Sequence, residues 1–168
     1  HYFPNSKYMI YEKVNDYFDY GVTLSSSGTY EHLSFVNCQR TTSQNSTHTK
    51  YVTNQIVSII REYLSQKYKG TSIPMFTIML KLNVFVNLRM ENPDFTSQTK
   101  VELASSMKGI LKPLDKKKIL SAMKKNGVIE ELESKLKSKV IDDVSKSLSV
   151  NTKKSNVIID KYDGAHKA

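Results

Sequence analysis

One cysteine in 168 residues excludes an intrachain disulfide and fits an intracellular, reducing compartment. Cys38 has no CxxC neighbour and no Cys/His zinc spacing, so it reads as a strand-end residue. Apolar runs are short. None approaches the roughly 20 residues that cross a bilayer, and no signal-peptide pattern is present. The four histidines, His1, His32, His48 and His166, are scattered without metal-ligand spacing. The sixteen acids include no pair placed for acid–base work, and there is neither a Walker loop nor a GxGxxG. Internal repeats and low-complexity tracts are absent too. These absences exclude a complete active site with its own catalytic residues. A chain opening on His1 rather than methionine reads as a segment cut from a longer protein.

Positive charge is abundant. Twenty-five Lys and Arg stand against sixteen Asp and Glu, a net charge of +9. Such a balance favours a partner carrying phosphate, either a nucleic acid or a nucleotide. The alternative on composition alone is a lysine-rich surface with no specific partner. Hydrophobic residues make up 39% of the chain, enough for a core, and the length suits one domain or one domain with an appendage.

Periodicity supplies the elements. Residues 1–16 are tyrosine-rich without a clear period and read as a connector or edge strand. Phe18, Tyr20, Val22 and Leu24 alternate as in a half-buried strand. The "SSSG" that follows, with Gly28 free to take a positive φ, and the extended "TYEHLSFVN" predict a β-hairpin. "CQRTTSQNSTHT" then reads as a functional loop of about a dozen residues, with His48 inside it. From Lys50, Val52, Ile56, Ile59, Ile60, Tyr63 and Leu64 recur at helical spacing, and Gly70 stands where a cap would end the helix behind Lys67 and Lys69.

Downstream, Pro74 opens a short helix, and Leu82, Val84, Val86 and Leu88 alternate as a third strand. A short helix is predicted from Lys100 over "KVELASSMKG", and another with Asp115 as N-cap and Gly127 as stop. A last, long helix carries a narrow stripe of Val128, Ile129, Leu132, Leu136, Val140, Ile141, Val144 and Leu148. The layout is α+β, with helices on one face of a small sheet.

The polar tip "SQTK" ends the apolar strand, and it holds the candidate chemistry. The ammonium of Lys100 can meet a phosphate as a point charge, Gln98 can donate from its amide, and helix-start N–H groups would strengthen the same anion-attracting end. An ordinary polar loop is the competing reading.

Three segments, in order, carry a family resemblance. "LSFVNCQRTTSQNSTHTKYVTNQIV" and "NVFVNLRMENPDFTSQTKVEL" resemble signatures of type IIA DNA topoisomerases, and "DKYDGAHKA" resembles the stretch leading into that family's TOPRIM domain. "ENPDF" is closer to the eukaryotic and large-DNA-virus branch than to bacterial gyrase B. The resemblance spans residues 17–168 and implies the transducer domain, a left-handed βαβ fold also found in other GHKL ATPases and a ribosomal protein. It implies a connector from the GHKL domain at 1–16, the transducer at 17–127, a long helix at 128–149 and a linker toward TOPRIM at 150–168. Gln98, Thr99 and Lys100 would then form the tip that reaches the γ-phosphate of ATP. Lys67 and Lys69 fall where eukaryotic members contact the DNA being passed, although the same pair also reads as helix-end solvation. Asn45 is expected to supply a left-handed conformation, because the family's glycine pair before the histidine is absent.

The implied parent is a homodimeric, ATP-dependent enzyme acting on double-stranded DNA, with ATP and Mg²⁺ bound mainly by domains outside this chain. Its compartment would be the nucleus, or the host cytoplasm or nucleus for a viral enzyme. The segment alone is expected to be inactive, with no catalytic residue and no metal ligand of its own. A basic nucleic-acid-binding adaptor without ATP coupling is the alternative. It is supported by the charge and by Lys116, Lys117 and Lys118, which otherwise read as a solvated helix face.

Overall fold

A computed structural model describes residues 9–68 and 73–154, and at 140, 142–144 and 146–154 the backbone alone. The chain divides into two units, His1–Glu133 and Ser134–Ala168. The first holds the sheet and every site discussed below. The strands are β1 (Ile10–Asn15), β2 (Phe18–Leu24), β3 (Glu31–Val36), β4 (Gln39–Thr41) and β5 (Leu82–Leu88). The helices are α1 (Thr47–Lys67), α2 (Met75–Met79), α3 (Lys116–Lys125) and α4 (Val128–Lys154).

The five strands form one sheet in the order β1-β2-β5-β3-β4. This overturns the predicted hairpin, since β2 and β3 do not pair with each other. β5 lies between them, antiparallel to β2 from Phe18↔Leu88 to Leu24↔Leu82 and parallel to β3 from Glu31↔Asn83 to Val36↔Leu88. The physical reason is burial. Leu82, Val84, Val86 and Leu88 are each no more than 1% exposed, which suits a central strand with a neighbour on both edges. The turn at 25–30 becomes a longer connection, closed by a Ser25 hydroxyl donating to Thr29 O at 2.6 Å and by Gly28 at φ 71°.

The true hairpins are local. β1 and β2 pair around an Asx turn in which Tyr17 N donates to Asn15 Oδ1 at 2.8 Å. β3 and β4 meet through Asn37 and Cys38 at φ 49° and 66°, both left-handed, as a two-residue hairpin loop requires. Cys38 is therefore an exposed turn residue rather than a strand end. With 39–41 paired and α1 starting at Thr47, the predicted dozen-residue loop shrinks to a short link, and His48 belongs to the first turn of α1. Asn45 is not among the left-handed residues of the described chain.

α1 packs on β5, α2 and α3, and its Val52, Ile56, Val57, Ile60 and Leu64 are all 2% exposed or less. Each such side chain contributes about 1.5–3 kcal/mol by leaving water. The unit β3-α1-β5 is thus a parallel βαβ crossover beneath one helical layer, and the predicted α+β class stands. Asp115 caps α3 as expected, its carboxylate accepting from Lys117 N and Lys118 N. No helix forms over 100–109. In α4, Val128, Ile129, Leu132 and Leu136 of the predicted stripe are buried, whereas Ile141 is 67% exposed. Gly70 and the "DKYDGAHKA" stretch lie outside the described residues. No described helix is long and apolar enough to cross a membrane.

Candidate functional site

The exit of β5 is clamped before the polar segment begins. Asn37 Nδ2 donates to Met90 O at 2.8 Å, and Met90 N donates back to Asn37 Oδ1 at 2.9 Å. Asn92 then turns the chain at φ 46°. From there, residues 94–105 fold into a narrow finger. Ala104 N donates to Asp94 O at 2.7 Å, Thr96 N to Glu102 O at 3.0 Å, and Phe95 bridges Leu103. The tip is a four-residue turn in which Lys100 N donates to Ser97 O at 3.1 Å and the Ser97 and Thr99 hydroxyls share a 2.7 Å hydrogen bond. Lys100 closes it at φ 54°, a costly conformation for a residue with a Cβ.

The base of the finger is pinned to the segment entering α1. Thr42 N and Ser43 N both donate to Val101 O at 3.0 Å, and Thr47 N donates to Leu103 O at 3.1 Å. Thr47 Oγ1 donates to Ser105 O at 2.6 Å, Leu103 N to Ser46 Oγ at 3.2 Å, and Ser43 Oγ to the Glu102 carboxylate. Ser46 occupies the N-cap position of α1, yet its hydroxyl serves the finger rather than the helix. These bonds replace the predicted helix. Val101 O, both main-chain groups of Leu103 and Ser105 O are satisfied across to 42–47, and Lys100 N, Glu102 O and Ala104 N within the finger, instead of along a helix axis. The helix-start N–H groups expected to aid Lys100 are therefore not there.

Gln98, Thr99 and Lys100 are all exposed at the tip. The ammonium of Lys100 lies 6.0 Å from the Phe95 ring, and no described carboxylate pairs with it. The three predicted residues thus share one stiff turn, presenting a cation, an amide and a hydroxyl outward. Sequence reasoning missed what holds them: Asn37, Ser43, Ser46, Thr47 and Glu102. The available signal was the Ser/Thr density of "TTSQNST", more hydroxyls than a solvated loop requires.

His48, expected in a polar loop, is fully buried at the start of α1 with Nε2 3.4 Å from Thr41 Oγ1. Burial first, and then the nearby His32, pushes its pKa down to about 4. Buried against Thr41, it is not part of the exposed tip.

Lys67 ends α1 in an ion pair with Glu133 at 2.6 Å, its side chain 47% exposed, and lies 5.6 Å from the Tyr68 ring. That hydrogen bond raises its pKa. Lys69 lies outside the described residues. Among the described residues, no group of three His, Cys, Asp or Glu could hold a metal ion.

A family model described as DNA gyrase B matches residues 7–167. The chain is 35% identical over 176 residues to the probable DNA topoisomerase 2 of Dictyostelium discoideum, covering 99% of this chain and 11% of that protein. Among solved structures, the ATPase and transducer domains of DNA topoisomerase II from Balamuthia mandrillaris align with a TM-score of 0.71 at 26% identity, over 78% of this chain and 34% of that one. The ATPase region of Saccharomyces cerevisiae topoisomerase II aligns with a TM-score of 0.66 at 28% identity, over 75% and 32%. The chain therefore spans about a tenth of the length of the curated relative and about a third of each solved chain.

Proposed function

The chain belongs to the DNA gyrase B family, and from that premise we propose that it is the transducer segment of an ATP-dependent type IIA DNA topoisomerase, coupling ATP binding and hydrolysis to gate closure and duplex passage. The observation that carries this reading is the braced finger. Gln98, Thr99 and Lys100 stand exposed on a turn whose base is hydrogen-bonded to the entrance of α1. A free ammonium beside an amide suits a terminal phosphate, and a stiff finger passes a change at its tip to the helix it is tied to. A floppy polar loop could bind the same phosphate without transmitting anything.

In this proposal Lys100 meets the γ-phosphate of ATP, Gln98 and Thr99 donate to the same group, and the nucleotide is otherwise held by a GHKL domain of the same polypeptide. When bound, ATP supplies the phosphoryl group whose loss ends the contact. Mg²⁺ accompanies the nucleotide and the TOPRIM domain rather than this chain. Residues 1–16 connect from the GHKL domain, 17–127 form the transducer, 128–149 the long helix and 150–168 the linker onward. Lys67 and Lys69 contact the phosphates of passing DNA, Lys67 by exchanging Glu133 for a phosphate. The parent is a homodimer working in the nucleus, or in a host cell if viral, and the segment alone is inactive. The adaptor alternative shares the lysines but gives no reason for the brace.

The test is Lys100→Ala in the full-length enzyme. Losing one charged hydrogen bond in the transition state, about 1.5–3 kcal/mol, should slow DNA-stimulated ATP hydrolysis roughly ten- to hundredfold. Unchanged ATPase kinetics would overturn the assignment.

A further inference from the structure

The charge of this chain is concentrated in one stretch. Residues 108–125 contain seven lysines and one aspartate, a net +6 of the chain's +9, and all seven lysines are exposed. Asp115 turns its carboxylate to the backbone N–H groups of α3, so it pairs with none of the ammonium groups. Lys116 is paired with Glu62 at 2.6 Å, Lys118 with Glu12 at 2.7 Å, and Lys124 lies 4.7 Å from the Tyr63 ring. Lys117 and Lys125 have no carboxylate partner among the described residues, and both line a groove between β1 and α3.

We infer that this groove is a second seat for duplex DNA, in which Lys117 and Lys125 hold the phosphate backbone apart from the helix-end lysines. The two lysines are eight residues apart on one helix, so their Cα atoms lie about 12 Å apart along its axis. Duplex DNA carries one charge per ~1.7 Å of its axis, so that length faces about seven phosphate charges. Ser121, one turn from each lysine, adds a hydroxyl donor, and Ile10, Tyr11 and Glu12 form the opposite wall, with the Glu12 carboxylate neutralised by Lys118. No arginine, asparagine or glutamine lines the groove. The groove thus offers cations and hydroxyls for backbone oxygens, and the planar side chain in its lining, Glu12, is already held by Lys118 and by the Tyr20 hydroxyl, so no free planar group is left to read base edges and binding is independent of sequence. Lys67 must leave Glu133 before it can meet a phosphate, whereas Lys117 and Lys125 break no ion pair. The inference rests on duplex DNA being a partner, and its seat is separate from the finger and from Lys67.

The experiment is fluorescence anisotropy of the 168-residue chain with a labelled 20-base-pair duplex across salt concentrations. The Lys117→Ala/Lys125→Ala chain is expected to bind more weakly, with a log–log salt slope shallower by roughly two. Its thermal unfolding should be unchanged, and the double Lys→Arg chain should keep the wild-type slope. If the alanine pair leaves slope and affinity unchanged while Lys67→Ala lowers them, the groove is refuted and the helix-end contact stands. If the wild-type chain shows no salt-dependent duplex binding, both fail. If inorganic tripolyphosphate at equal charge displaces the duplex fully, the groove is a small-anion site and the inference is overturned.

Discussion

Asn37 brackets Met90, donating to its carbonyl at 2.8 Å and accepting from its N–H at 2.9 Å, although 53 residues separate them. One amide thereby stands in for a further rung of the ladder between β3 and β5, at the point where the finger departs. Asn37 does so at φ 49°, a region that asparagine tolerates better than other residues with a Cβ.

Asn37→Ala should remove both bonds and leave a methyl-bearing residue in the left-handed region. Two bonds at about 1 kcal/mol each, plus roughly 1 kcal/mol of backbone strain, give a loss of about 2–3 kcal/mol. Asn37→Gly removes the bonds but not the backbone freedom, and should lose about 1 kcal/mol less. Urea unfolding of the two variants checks this. Equal losses would show that the backbone conformation at 37 contributes nothing.

Lys100 presents the opposite case, a strained residue at the exposed tip of the finger. Lys100→Gly should relieve its φ of 54° and stabilise the chain by roughly 0.5–1 kcal/mol. In the full enzyme it should nonetheless lose the ATPase response as fully as Lys100→Ala does. Higher thermal stability with lower activity is the signature of strain kept for function. A glycine variant less stable than wild type would contradict the strain, and one with normal ATPase would contradict the role of the ammonium.

The contrast between these two residues marks what was legible in sequence. The strand at 82–88, the helix over Val52–Leu64 and the Asp115 cap announce themselves because their signals are local. The place of β5 between β2 and β3 is not local, and a Ser/Gly turn between two alternating runs imitates a hairpin when the intervening strand lies far along the chain. Leu103, Met107 and Leu111 imitate a helix in the same way. They are buried and four residues apart, yet only one turn forms, Leu111 N donating to Met107 O at 3.2 Å, while α1 holds the two ends, with Thr47 N donating to Leu103 O at 3.1 Å and Tyr51 Oη to Leu111 O at 2.9 Å. That Gln98, Thr99 and Lys100 share one exposed tip was legible from the polar stretch that ends the apolar strand and from a family resemblance. Their brace was not, since a hydroxyl bonding a distant main-chain group has no period.

His48 makes stability depend on acid. Its imidazole is fully buried, and its pKa stands near 4 against an ordinary 6.5. Above pH 6.5 the folded and unfolded chains are both neutral there, and the group adds no slope. As pH falls from 6.5 toward 4, the unfolded chain takes up a proton that the folded chain refuses, and stability declines by about 3 kcal/mol over that window. His32, whose pKa is lowered by burial and by Arg40, acts in the same direction. Urea midpoints at pH 7, 5.5 and 4.5 should fall more steeply for wild type than for His48→Gln. Parallel pH profiles would refute the buried, neutral imidazole.

Ser46 separates a brace from a cap. At the N-cap of α1, a serine hydroxyl would ordinarily accept from an N–H of its own first turn, and its loss would cost the helix about 1 kcal/mol. Here it is fully buried and accepts instead from Leu103 N across the base of the finger, at 3.2 Å. Ser46→Ala leaves that buried N–H without its acceptor, at a cost of about 1–3 kcal/mol. The damage should therefore appear in the finger. Hydrogen exchange at the Leu103 amide should quicken at least tenfold, while the amides in the middle of α1, at Ile56 and Ile60, slow or quicken only with global stability. Exchange that rises equally along the first turns of α1 and leaves Leu103 protected would make Ser46 an ordinary cap, and the finger's tie to the helix would then rest on Thr47 alone.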